Sequence, residues 1–312
     1  MSSARLSPSP SVAVPTVPDQ AARRRLDIEG DVFGRDFNRR PFTIGHHLRD
    51  HPLLTLPSLI ELSKRLPESN VRYNRADVDV SQAVYTAPKT GLSIQETIRQ
   101  IEECGSWMVL RFVEQDPQYR ALVDQCLDEI QQFTDPIMPG MFKREGFVFI
   151  TSPGGVTPFH MDPEYNFLLQ IRGKKTASLL DVSDRSIVSE ELLEKFLSGD
   201  EYKHDFKDEY PDKAFTFELN PGEGLHFPLN WPHWVKNDDE VSISFSITFR
   251  SLESERTSIV YSVNNYLRRR GFNPTPYGRS ALRDTAKFNA FRAMRRAKKL
   301  LRVWREESPQ RY

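Results

Sequence analysis

Hydrophobic positions along this chain follow a helical period in its first part, an alternating period through its middle, and a helical period again at its end. Leu59, Leu62 and Leu66 in "LPSLIELSKRLP" and Ile94, Ile98 and Ile101 in "LSIQETIRQIEECG" fall at helical spacing. Ser93 and Glu96 make a capping box at the head of the second run. "SWMVLRFVE" reads as a strand, after which Asp116 and Pro117 supply the N-cap and first residue of a helix through "QYRALVDQCLDEIQQF". From Phe147 to Phe249 the pattern changes to short runs rich in aromatic and β-branched residues: "FVFIT", "NFLLQI", "KTASLLD", "AFTFEL", "LHFPL", "HWVKN" and "VSISFSITF". Many short strands joined by tight turns predict a jelly roll or barrel, mainly β with flanking helices.

In the last of these strands Ser242, Ser244, Ser246 and Thr248 share one face, and Ile243, Phe245, Ile247 and Phe249 share the other. Either the aromatic face packs under the helices while the hydroxyls line a polar interior, or the hydroxyls face solvent on a two-sheet sandwich. "SEELLEKFLSG" and the charged "DEYKHDFKDEYPDK" after it read as a surface insertion between strands. The predicted organisation is a disordered tail over residues 1–28, a helical flank over 29–135, a β core over 136–250 and a helical region over 251–312. The prolines at 8, 10, 15 and 18 would interrupt any helix in the tail.

The last region begins with "SIVYSVNNYLRRRG", a helix stopped at Gly271, and continues through "NPTPYG" as a linker. In the helix beyond, Met294, Ala297, Leu301 and Trp304 fall on one face and Arg292, Arg295, Lys299 and Arg302 on the opposite one. Such a helix either packs its apolar face on the core or on a second copy, or binds an anionic partner through its basic face. Packing is the reading adopted here, with nucleic acid not expected as a partner.

Composition narrows the picture. Lysine plus arginine equal aspartate plus glutamate at 43 each, so no net field draws the whole molecule to nucleic acid or anionic lipid. Cys104 and Cys126, the two cysteines present, sit in periodic segments and are expected to be reduced thiols. No apolar run is long enough for a membrane span and no signal-peptide core is seen, so a cytoplasmic protein is expected.

Candidate chemistry lies in "TPFHMDPEYNFLLQIRGKK", residues 157–175. His160 and Asp162 are two apart, so on an extended segment both can aim at one point and ligate a metal. His46, His47, His51 and His204 read as surface or capping residues, which leaves His226 or His233 as a third ligand. Pro232 fixes the backbone before His233, and Trp231 and Trp234 flank it; this favours His233, with His226 a packed imidazole. Two imidazoles and a carboxylate suit a non-haem Fe(II) with open positions, and suit zinc as well. A turn at Gly173 would start Lys175 on a returning strand whose ammonium reaches the same interior and needs an anion there. Lys174 should face water. The plainer alternative is that both lysines decorate a turn.

"TPFHMDPEYNFLLQIRGKK" resembles the T-P-x-H-x-D-x-x-x-N-x-x-x-Q-I-x-G-x-K of the JmjC and cupin-like 2-oxoglutarate oxygenases, nearest the branch of the asparaginyl hydroxylase of hypoxia-inducible factor. "GEGLHFPLNWPHWV" resembles that branch's G-D-x-L-x-I-P-x-x-W-W-H. The resemblance implies a double-stranded β-helix core. It also implies Fe(II) held by His160, Asp162 and His233, 2-oxoglutarate held at its far carboxylate by Thr157 and Lys175, a pocket lined by Asn166, and O2 as oxidant. The implied activity is substrate hydroxylation coupled to decarboxylation of 2-oxoglutarate to succinate, and a homodimer through the C-terminal helices. Two positions depart from the family pattern. Pro232 stands where a second Trp is common, and Ser246 or Thr248 replaces a late Asn, which bears on how co-substrate or O2 is arranged. A binding protein without turnover, or a metal cupin that does not use 2-oxoglutarate, are the alternative functions.

Overall fold

The computed structural model describes residues 24–82 and 87–307, with side chains as far as residue 297. In chain order the elements are β1 Leu26–Asp27, α1 Gly30–Asp36, β2 Phe42–His46, α2 Leu56–Arg65, β3 Val71–Arg75, α3 Ile94–Arg99, β4 Ser106–Arg111 and α4 Pro117–Thr134. The core continues with β5 Met141–Thr151, β6 Val156–His160, β7 Tyr165–Arg172, β8 Lys175–Leu179, α5 Glu190–Ser198, α6 Tyr210–Lys213 and β9 Phe215–Leu219. It closes with β10 Glu223–Phe227, β11 His233–Asn237, β12 Ser242–Ser251, α7 Leu252–Arg268 and α8 Ala281–Glu307.

Antiparallel pairing gathers the strands into a large sheet, β1-β2-β10-β7-β12-β5-β4-β3, and a small one, β6-β11-β8-β9. The two sheets and their flanking helices are a mainly β, jelly-roll core, as the strand pattern predicts. On β12 the aromatic face carries Phe245, Ile247 and Phe249, fully buried in one cluster with Leu122, Val123, Cys126 and Leu127 of α4. The opposite face is buried too, so the solvent-exposed alternative is overturned. Its hydroxyls are bonded to β7: Ser244 Oγ donates to Gln170 Oε1 at 2.7 Å, and Ser246 Oγ to Asn166 Oδ1 at 2.7 Å.

Several expectations change. The flank over 29–135 carries α1 to α4 and the expected strand β4, but it also supplies β2 and β3, so it extends the large sheet on both sides of the core strands. Of the tail, residues 1–23 lie outside the described residues, but 24–28 are ordered. Leu26 is buried, and its backbone N–H donates to Glu129 Oε2 at 2.9 Å. The insertion is no mere surface loop: Tyr210, Leu193 and Val188 build a second apolar cluster with Phe159 and Tyr261, and buried Glu194 pairs with Arg268 of α7 at 2.7 Å.

The capping signals hold. Ser93 and Glu96 form both halves of their capping box, and Asp116 accepts from the N–H groups of Gln118 and Tyr119 with Pro117 at the first helical position. α8 lies against α7, where Met294 and Phe291 share a groove with Val263 and Tyr266, and its apolar face is only partly covered, with Met294 46% exposed. Leu301, Trp304, Lys299 and Arg302 lie outside the residues with described side chains. Cys104 and Cys126 are both free, and burial pushes the Cys126 thiol up to about 12. Among the described residues, no helix is long and apolar enough to cross a membrane.

Candidate metal centre and its cavity

Strand pairing builds the centre. His160 ends β6 and His233 begins β11, and the two are direct cross-strand partners with ring centroids 4.1 Å apart. Asp162 follows β6 by two residues and returns beneath both rings: its Oδ2 lies 3.8 Å from His160 Nε2 and 3.7 Å from His233 Nε2. One donor atom from each of the three falls within 4.8 Å of the others. The imidazoles are oriented from behind. His160 Nδ1 lies 2.7 Å from Pro158 O and His233 Nδ1 2.9 Å from Trp231 O. A carbonyl only accepts, so each Nδ1 carries the proton and each Nε2 turns its lone pair to the common point. Burial, with His160 beside it, pulls His233 down to about 4, so its imidazole is neutral near pH 7. Asn230, in the left-handed conformation at φ 64°, donates its N–H to Asp162 O at 3.1 Å and ties the carboxylate's backbone to the turn before β11. This donor set fits a divalent metal with open positions, iron or zinc by ligand type.

The cavity beside the cluster is lined by Thr157, Asn166 and Lys175 together with Phe149, Leu168, Phe227 and Val235. Lys175 is 5% exposed, whereas Lys174 beside it faces water. Burial alone pulls Lys175 down to about 7, since no charged neighbour among the described residues offsets it. A buried ammonium without a counter-ion fits an anionic ligand in this cavity. The turn that delivers Lys175 is pinned by Gln170, whose Nε2 donates to Arg172 O at 2.7 Å and Gly173 O at 2.9 Å. Only glycine fits at 173: φ is +69° and a Cβ would stand 2.5 Å from Val241 O.

Of the sequence candidates, the structure brings His160, Asp162, His233, Thr157, Asn166 and Lys175 to one cavity. Ser246 stands behind Asn166 and reaches the cavity through it. Thr248 on β12 is the direct cross-strand partner of Asn166 on β7 and does not line the cavity, its Oγ1 being directed to Glu145 O at 3.5 Å. His226 has no free nitrogen for a metal. Fully buried, it accepts from the Asn38 N–H at 3.2 Å through Nε2 and donates from Nδ1 to Asn166 O at 3.1 Å. His46 is a correction: it is buried on β2, accepting from the Leu48 N–H and donating to Gln170 O at 3.0 Å. His204 also leaves the surface, packing edge-on against Phe159 at 4.7 Å. His47 stays exposed beside Asp27, and His51 caps a short 3-10 turn.

Trp107 went unseen in the sequence. Its Nε1–H donates to Thr157 Oγ1 at 2.9 Å, leaving the threonine's own proton free for the cavity. Strand alternation alone could not reveal it, because which face of β4 meets the cavity depends on pairing with β5.

Residues 69–255 match the family described as Cupin-like domain. Lysine-specific demethylase 8 of Xenopus tropicalis is 32% identical over 108 residues, 31% of this chain and 22% of that protein. Jumonji C domain-containing protein 5 of Drosophila melanogaster is 31% identical over 103 residues, 31% of this chain and 25% of its own length. HSPB1-associated protein 1 of Bos taurus is 25% identical over 164 residues, 48% of this chain and 34% of that one. The matched segments thus span about a third or less of these relatives. Among solved structures, the Escherichia coli ribosomal oxygenase YcfD superposes with a TM-score of 0.48 at 16% identity, covering 92% of this chain and 69% of that one. The family match covers more than half of the sequence and contains every residue of the cavity, and on it the chain belongs to the cupin-like domain family.

Proposed function

We propose that this chain is an Fe(II)- and 2-oxoglutarate-dependent oxygenase that hydroxylates a carbon of a peptide side chain, an amino acid or a small metabolite. One observation carries the reading: a three-donor metal cluster and a buried ammonium with no counter-ion among the described residues share one cavity. A dicarboxylate that chelates the metal at one end and meets Lys175 at the other satisfies both. The names of the frog and fly relatives, a lysine-specific demethylase and a Jumonji C protein, support the same class.

In this reading His160, Asp162 and His233 hold the metal, and the carbonyls of Pro158 and Trp231 keep both Nε2 lone pairs on it. Thr157 and Lys175 take the far carboxylate of 2-oxoglutarate, while Phe149, Leu168, Phe227 and Val235 exclude water around it. Asn166 offers its carboxamide along the wall, held by Ser246. The chemistry iron would supply is activation of O2, coupled to conversion of 2-oxoglutarate to succinate and CO2 and to hydroxylation of the substrate. Within the family, the spacing from Thr157 through Asn166 and Gln170 to Lys175 supports kinship with the branch of the asparaginyl hydroxylase of hypoxia-inducible factor.

Anaerobically prepared protein is expected to bind Fe(II) and then, in air, to form succinate slowly from 2-oxoglutarate alone. Fractions of cell extract that contain the substrate should speed this and yield a product heavier by one oxygen atom. An iron-loaded protein that does not bind 2-oxoglutarate would point instead to a metal cupin acting without it.

A further inference from the structure

Asn237 is 4% exposed at the end of β11, and its Oδ1 is buried without a hydrogen-bond partner among the described residues. An acceptor buried without a partner is costly, so its retention asks for a cause. Its place supplies one. Alternation along β11 puts Asn237 on the face of His233 and Val235, both of which line the metal cavity. In the ladder between β11 and β8, Asn237 is the direct cross-strand partner of Lys175. Residues directly opposite in an antiparallel pair have Cβ atoms about 5 Å apart on one face. Among the described residues, an amide oxygen with no hydrogen-bond partner and an ammonium with no charged neighbour therefore stand on directly opposed positions, next to the cavity that Lys175 lines.

We propose that Asn237 is a third anchor for the far carboxylate of the co-substrate, acting together with Lys175 and Thr157. Once the carboxylate is bound, its Oδ1, unpartnered in this structure, accepts one N–H of the Lys175 ammonium, which fixes the direction of the remaining two. Its Nδ2 donates to the carboxylate that the ammonium neutralises. The amide is suited to this place because it is uncharged: it supplies an acceptor for the ammonium without itself being the counter-ion. An aspartate here would take the ammonium for itself and exclude the ligand by like-charge repulsion. The inference rests on the reading of Lys175 as the anchor of 2-oxoglutarate.

The test uses the full chain loaded with Fe(II) under anaerobic conditions, with 2-oxoglutarate binding followed by calorimetry for wild type, Asn237→Ser and Asn237→Asp. Expected is about a tenfold loss of affinity for the serine variant and a hundredfold or greater loss for the aspartate variant, with iron content unchanged. A second readout needs no ligand. In Asn237→Asp the new carboxylate partners Lys175, so its urea stability should exceed that of wild type most near pH 7, lose that margin toward pH 10 as wild type itself gains stability, and show no such gain when Lys175→Met is added. Wild type that binds no 2-oxoglutarate would sink the functional reading, and the stability cycle would still judge the pairing. Wild-type affinity in both Asn237 variants, or a stability gain that survives Lys175→Met, would overturn the role of Asn237.

Discussion

Trp107 and Thr157 are joined by a 2.9 Å hydrogen bond in which the indole donates and the threonine oxygen accepts. The bond sets the direction of the hydroxyl proton, which then has the cavity as its outlet. Trp107→Phe keeps the packing against Phe149 but frees the hydroxyl to turn. A loss of about 1 kcal/mol in 2-oxoglutarate binding is expected, roughly fivefold in Kd. Calorimetry on the iron-loaded variant checks it, and an unchanged Kd would remove Thr157 from the co-substrate site.

Removal of any one donor, by His160→Ala, Asp162→Ala or His233→Ala, is expected to abolish stoichiometric Fe(II) binding. His226→Ala should keep the iron and lose stability instead. It empties space among Phe37, Phe42 and Phe167 and strands the Asn38 N–H and Asn166 O, at a cost of about 2 to 4 kcal/mol. Metal analysis beside urea titration separates the two effects, and iron loss in His226→Ala alone would reverse the ligand assignment.

If Lys175 anchors 2-oxoglutarate as proposed, binding should depend on pH. In the free protein burial lowers it from 10.5 to about 7, while a carboxylate is bound by the protonated form. Affinity for 2-oxoglutarate should therefore be greatest below about pH 7 and weaken up to about tenfold per unit above it. The same shift makes the ligand-free protein gain stability as pH rises from about 7 to 10.5, because the unfolded chain binds the extra proton in that window. Lys175→Ala should flatten both profiles and weaken binding severely, whereas exposed Lys174→Ala should alter neither. Parallel profiles for the two variants would contradict this.

Acid sensitivity has a separate source. Burial lowers His46 from 6.5 to about 4 and His226 to about 3. Their folded values lie below the unfolded one, so the unfolded chain takes up protons first and stability falls as pH drops from about 6.5 to 3. His46→Gln should shallow the loss between about pH 6.5 and 4 in urea titrations, and a profile as steep as wild type would assign the acid lability elsewhere.

The exposed Met294 bears on assembly. If the C-terminal helices join two copies, a chain ending at residue 291 should show half the wild-type mass by light scattering. Its affinity for RNA or DNA should not change. An unchanged mass with loss of a salt-sensitive nucleic-acid affinity would favour the basic face as the working surface.

What the sequence determined by itself is local. The capping box of Ser93 and Glu96 and the Asp116-Pro117 start of α4 are written in adjacent residues, because a helix satisfies its hydrogen bonds within a few positions. His160 and Asp162 were legible for a similar reason: two residues along a strand repeat the same direction. The exposed Lys174 beside the buried Lys175 follows from that period of two as well. Tertiary structure decided the rest. "FTIGH" and "VRYNR" are short segments whose strand character comes from distant partners, β10 for the first and β4 for the second. His46 shares the buried face of Phe42 and Ile44 only because β2 joins the large sheet. The choice between His226 and His233 is a matter of which sheet each strand enters. β11 pairs with β6 and sets His233 opposite His160, while β10 pairs with β7 and carries His226 among phenylalanines. A β ladder joins residues far apart in the chain, so the partners of Trp107, Asn237 and His233 were settled by register, which no short stretch of sequence contains.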